Sequence, residues 1–156
     1  MAVYAGVSPK QIRQRVAETL GTMLAPLGFV EAAYVGLRLP ENATLAGHHQ
    51  FAVILLGSEF LAGRQSRAQD PGRGAYCQTT VEVRWIARLR PDNEVADYDA
   101  ALDSELAILD ALRSLEQDQY LTLRLESVQS RDNPPGLALF AGTIRATCHH
   151  TYPLGA

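Results

Sequence analysis

Between Tyr76 and Arg90 the chain alternates with a period of two. Thr79, Val81, Val83, Trp85, Ala87 and Leu89 fall on one side. Gln78, Thr80, Glu82, Arg84, Arg88 and Arg90 fall on the other, interrupted by Ile86. Successive side chains of a strand point to opposite faces, so this segment reads as a β-strand with one face on a core. Its second face meets water or a partner. At ~3.3 Å per residue such a strand reaches roughly 45 Å, more than a small sheet requires. It is expected to project as part of a long hairpin with the strand before it.

The rest of the chain must pack around that strand. Ser8-Pro9-Lys10-Gln11 reads as a helix start, with Ser at the N-cap, Pro at the first position and Gln placed to complete a capping box. Ile12, Val16, Leu20, Met23 and Leu24 then recur at helical spacing, and Pro26 and Gly28 end the helix. A first strand is expected over about 29–39 and a second over Gln50–Leu56. The second is nearly continuously apolar, so it should lie inside the sheet, covered on both faces. Residues 58–75 carry Arg64, Arg67, Asp70, Pro71 and Arg73 among glycines, and read as a long flexible loop of the kind that serves interaction. After a turn at 91–96, a second helix is expected to start at Asp97 or Asp99. Its expected buried stripe is Tyr98, Leu102, Leu106, Leu109 and Leu112 or Leu115. Strands over about 120–129 and 137–152, joined by the turn Asp132-Asn133-Pro134-Pro135-Gly136, close the chain as a hairpin. The order α-β-β-β-α-β-β argues an α+β fold, with a mainly antiparallel sheet of about five strands and both helices on one face.

One domain accounts for 156 residues, and a hydrophobic share of 47% supports a core. No apolar run approaches the ~20 residues of a membrane-spanning helix. No secretory signal is read at the N-terminus, so Cys77 and Cys148 are expected as reduced thiols in a cytosol. The net charge of −3 gives no bulk case for nucleic-acid binding. Of the fourteen basic residues only Lys10 is lysine. Codon bias of a GC-rich genome explains this, and an arginine-rich interface is compatible with it.

Motifs of chemistry are sparse. No phosphate-binding glycine loop or nucleophile elbow occurs. His48-His49 and Cys148-His149-His150 lack zinc-site spacing, and read as surface or interface histidines. Asp99 and Asp103 are one turn apart, and read as a solvated helix face rather than a catalytic pair. The arginine-bearing face of the long strand has no interleaved stacking aromatic, and reads as a polar subunit interface rather than a nucleic-acid platform. The residues singled out for interaction are Arg64, Arg67, Arg73, Glu82, Arg84, Arg88 and Arg90. No catalytic residue, metal or cofactor is expected.

The strand Val81-Glu82-Val83-Arg84-Trp85-Ile86-Ala87-Arg88-Leu89-Arg90 and the helix entry Asp97-Tyr98-Asp99-Ala100-Ala101-Leu102-Asp103 precede a leucine helix and a C-terminal hairpin. With the N-terminal amphipathic helix, this order resembles the tail terminator (tail-completion, minor tail) proteins of long-tailed bacteriophages. The resemblance covers most of the chain as an element order and rests on no short signature. It implies a structural virion protein, not an enzyme. Such a subunit forms a hexameric ring at the head-proximal end of the tail tube, stops tube growth, and meets the head–tail connector in the neck. DNA passes through the lumen without sequence-specific binding. Other readings remain: another neck or connector component, a small enzyme or ligand-binding domain built on Cys77, Cys148 and the histidines, or a nucleic-acid-binding sheet.

Overall fold

The computed structural model describes residues 6–33, 49–60, 75–117, 121–133 and 138–152. Helix α1 spans Pro9–Leu24. Its start is the expected capping box: the Ser8 hydroxyl accepts from the Gln11 amide at 3.2 Å, and the Ser8 amide donates to Gln11 Oε1 at 2.8 Å. These bonds satisfy amides that a helix start otherwise leaves open. The helix buries Ile12, Val16, Ala17, Leu20 and Leu24. Each large aliphatic contributes roughly 1.5–3 kcal/mol by leaving water. Met23, expected in that stripe, lies outside it at 42% exposure, and Ala17 takes the inner position. A short 3-10 turn over Ala25–Leu27 ends at Gly28, whose φ of 83° suits a residue without a Cβ.

The chain then enters β1, Phe29–Glu31, far shorter than the strand expected to reach residue 39. The remaining strands are β2 (His49–Phe60), β3 (Ala75–Arg88), β4 (Thr122–Asp132) and β5 (Leu139–Tyr152). They form one sheet of order β1-β2-β3-β5-β4, antiparallel except for the β1–β2 pair. The fold is therefore α+β, as the element order argued. β2 runs on past Leu56 to Phe60 and pairs with β3 as far as Cys77, so the long two-stranded arm is present. The buried run of β2 is confined to Phe51, Ala52 and Val53, and Leu56 onward is exposed. Of the loop expected over 58–75, Ser58, Glu59, Phe60 and Ala75 belong to strands, and residues 61–74 lie outside the described residues.

Helix α2 spans Glu94–Arg113. Pro91–Asn93 forms a 3-10 turn ahead of it, which starts the helix earlier than Asp97. Asp97 does not cap: its carboxylate takes the backbone amide of Arg90 at 2.7 Å and the Arg90 guanidinium at 3.0 Å. That contact holds the Asp97 carboxyl at about 2, below the usual carboxylate range. The buried face of α2 is Ala101, Ser104, Glu105, Ile108, Ala111 and Leu112, with Leu115 just beyond the helix. This corrects the expected stripe. Leu106 is 60% exposed, Tyr98 is exposed, and Leu102 and Leu109 sit partly buried at the flank. The leucines of this helix share one arc of about 120°, but the packed face is turned roughly a quarter turn from its centre, toward Ile108. Small Ala101, Ser104 and Ala111 are the residues set toward the packed layer. Glu105, buried, is held by Arg131 of β4 through two bonds of 2.7 Å.

Both helices cover one face of the sheet. The core between the layers includes Phe51, Val53, Val81, Val83, Trp85, Leu123, Phe140, Ile144 and Cys148. Trp85 is fully buried and lies 6.0 Å, ring to ring, from Phe140. It also lies against Gly142, its cross-strand partner: a Cβ there would fall inside the indole. The ladder thus needs glycine opposite the largest core side chain.

Candidate assembly surface

On the sheet face away from the helices, β3 places Gln78, Thr80, Glu82, Arg84, Ile86 and Arg88. This is the alternation read from the sequence. Ile86 breaks the polar pattern because it is buried with Ala52 and Leu139 in a small second cluster. Glu82 is buried despite its charge, at 3% exposure. A buried carboxylate is costly unless paired and hydrogen-bonded. Two guanidinium groups meet that need: Arg84 Nε donates at 2.7 Å and Arg145 Nε at 3.2 Å, one to each carboxylate oxygen. Arg145 stands directly across on β5, opposite Glu82 in the register. The arginine side chains themselves remain 40% and 39% exposed. Glu82 therefore fixes two arginines on a surface that solvent or a partner can reach.

Arg88 ends β3 and is exposed, and its backbone amide donates to His49 Nδ1 at 3.1 Å. Arg90 does not extend the stripe. It lies past the strand and clamps the start of α2 through Asp97, because β3 ends at Arg88 rather than Arg90. Arg64, Arg67 and Arg73 lie outside the described residues. Arg145 and Arg124 went unread in the sequence. Arg124 on β4 pairs across Thr147 of β5, and Thr147 pairs with Thr80 of β3, so Arg124 shares the face. Both stand in period with polar neighbours, but only the register of three strands brings them beside Arg84.

Cys77, Cys148 and His150 lie on the opposite, helix-covered face, where His150 is not the surface histidine expected, while His149 stands level with Gln78 on the arginine face. Cys77, Cys148 and His150 are buried, and the two cysteines form no disulfide. His150 Nε2 meets the Thr79 hydroxyl at 2.6 Å, and His150 Nδ1 meets the Val7 carbonyl at 3.0 Å. Ser58 Oγ and Cys77 Sγ also approach Thr79 Oγ1, at 2.8 and 3.7 Å. A carbonyl only accepts, so Nδ1 carries the proton and Nε2 accepts from Thr79. The Val7 amide donates to the Thr151 carbonyl at 2.8 Å. This network fastens the segment before α1 to the sheet. Burial pushes the His150 imidazole below its ordinary value. Among the described residues no three metal-ligating side chains converge. A shallow depression of about 570 Å³ lies between Arg13, Glu18 and Glu31, away from these side chains.

No protein-family model matches the chain, and no curated protein is found to be similar to it. The reading of function therefore rests on the residues and on the geometry above. No helix among the described residues is long and apolar enough to cross a membrane.

Proposed function

We propose that the protein is a structural component of a phage tail, a tail terminator that assembles as a ring at the head-proximal end of the tail tube. The observation that carries this reading is the sheet itself. It has the element order of such subunits, both helices on one face, and an arginine-lined second face. A one-sided layer of this kind offers two unlike surfaces, helical and polar-sheet, as a head-to-tail ring requires. The β2–β3 arm extends beyond the buried part of β2, with exposed Phe60 at its described end, and suits contact with a neighbouring component. The tube subunit and the head–tail connector are the partners of this reading, and its place is the neck of the virion. DNA crosses the lumen without sequence-specific contact. Tight DNA affinity rests on neutralising many phosphates, which a chain of net charge −3 is not built to do.

The test is the mass of the purified protein across a concentration series, with electron images of the largest species. The expected result is a closed ring of about six copies around an open lumen, as heterologous contacts that close would give. A closed two-copy particle at every concentration would count against the reading, as would salt-sensitive tight binding to DNA.

A further inference from the structure

The arginine face and the outer face of α2 are complementary in charge, direction and length. Arg88 and Arg84 on β3, Arg145 on β5 and Arg124 on β4 lie on one diagonal across three neighbouring strands. By register, Arg145 stands level with Glu82, and Arg124 level with Thr80. Strand rise and strand spacing make this diagonal roughly 28 Å long. On α2, the 3.6-residue repeat places Val95, Asp99, Asp103, Leu106 and Asp110 in one narrow arc, with Arg113 at its C-terminal end, so three aspartates outweigh one arginine. That arc lies directly opposite the buried Ile108 and Ala101. Every residue in it is exposed, Val95 at 77% and Leu106 at 60%. A helix of 20 residues is roughly 30 Å long.

We infer that the outer face of α2 in one copy docks on the arginine diagonal of the next copy. The inference deepens the ring reading by naming the two surfaces that meet. Asp99, Asp103 and Asp110 would face the guanidinium groups, and Val95 and Leu106 would pack on the arginine stems and on half-buried Ile54 and Thr80. Long arginine side chains carry apolar stems suited to that role. The acids on the sheet face do not cancel the match. Glu82 is already paired with Arg84 and Arg145, Glu59 stands off the diagonal beside Gln78 on β2, and Asp132 lies near the far end of the edge strand; Glu126, which accepts from Thr147 at 3.2 Å, keeps its charge and leaves four arginines in excess of it. The contact is heterologous, since one surface is helix and the other sheet, so it propagates from copy to copy until a ring closes. One helix width of contact is small beside a stable two-body interface, so an isolated pair is weak and closure supplies the stability.

The experiment uses the full chain and two double charge reversals. Arg88→Glu with Arg124→Glu alters the sheet face, and both side chains are exposed, with no ion pair given to either among the described residues. Asp103→Arg with Asp110→Arg alters the helix face. Circular dichroism confirms that each variant is folded; where one is not, Leu106→Arg replaces the helix-face variant and Arg124→Glu alone the sheet-face variant. Sedimentation then reads assembly against concentration. Each reversal alone is expected to raise the assembly midpoint by roughly tenfold or more, the scale of 1.4 kcal/mol. All four substitutions in one chain are expected to restore assembly, because like charges again face opposite ones. An equimolar mixture of the two double variants is also expected to assemble, in alternating copies, since the two unaltered faces match each other and so do the two reversed ones. If both reversals assemble as the wild type does, the docking surfaces are wrong and the ring reading stands. If the wild type never associates, both fall.

Discussion

Trp85 shows how one side chain ties the sheet to the helical layer. It is fully buried, packs on Phe140, and rests on the bare backbone of Gly142. Among the described residues its indole nitrogen has no hydrogen-bond partner, which leaves a residual cost on an otherwise well-packed residue. Replacing Trp85 with Ala should lower stability by roughly 3–5 kcal/mol, as loss of a large core aromatic does. Trp85→Phe should cost much less, because it keeps a ring and removes the orphan donor. Urea unfolding of the two variants against the wild type checks the order. Trp85 was legible in the sequence from alternation alone. Gly142 was not, since its role depends on which residue stands across the ladder.

His150 belongs to the same scale. Its neutral form holds the Val7 carbonyl and the Thr79 hydroxyl, and burial depresses its pKa. The native state then binds fewer protons than the unfolded chain. Stability should be at its full value above the ordinary histidine range, about 6.5, and should fall as the pH drops below it. Melting temperatures at pH 7.5 and 5.5 should show the loss in the wild type and a smaller change in His150→Gln. Equal slopes in the two proteins would remove the assigned role. Two residues apart on one strand, Cys148 and His150 share a face, and both are buried. Their place under the residues preceding α1 was not legible in the sequence, because that contact joins the two ends of the chain.

At the scale of elements, α1 and the long strand were read nearly as they fold, and α2 was not. The start of α1 is written in local chemistry: a serine cap, a proline and a reciprocal glutamine. The two faces of β3 are written in its alternation. For α2 the cue was leucine spacing, and the leucines share one arc of about 120°. The structure turns the helix roughly a quarter turn from the centre of that arc, setting Ile108, Ala101 and Ala111 inward and leaving Leu106 outside. A pair of truncations separates the two orientations. Ile108→Ala should cost roughly 2–5 kcal/mol as a core deletion, whereas Leu106→Ala should change monomer stability by no more than about 0.5 kcal/mol. Thermal or urea unfolding at a concentration below assembly measures both. A large loss from Leu106→Ala would restore the stripe first expected. The entry of α2 was misplaced for a related reason: Asp97 looks like a cap in sequence, but it serves as the anchor of Arg90.

At the scale of the whole molecule, the candidate surface was legible only in part. Glu82, Arg84 and Arg88 were found because they share one strand. Arg145 and Arg124 come from strands distant in sequence, and a register of β3, β5 and β4 is needed to align them. Arg90 was assigned to the same face by extending the alternation two residues too far. What emerges is a subunit with a helical face rich in aspartate and a sheet face striped with arginine. Such a subunit is fitted for head-to-tail association, and a terminator at a tube end is the proposed use of that association.

The most direct measurement is made on the tube. Tail-tube subunits of the same particle are allowed to polymerise with and without the protein, and the ends are imaged. The account predicts that growth stops at one end, with a ring of this protein seated there, and that the four-substitution chain stops it as the wild type does. Tubes that lengthen equally in its presence, with no added density at either end, would contradict it.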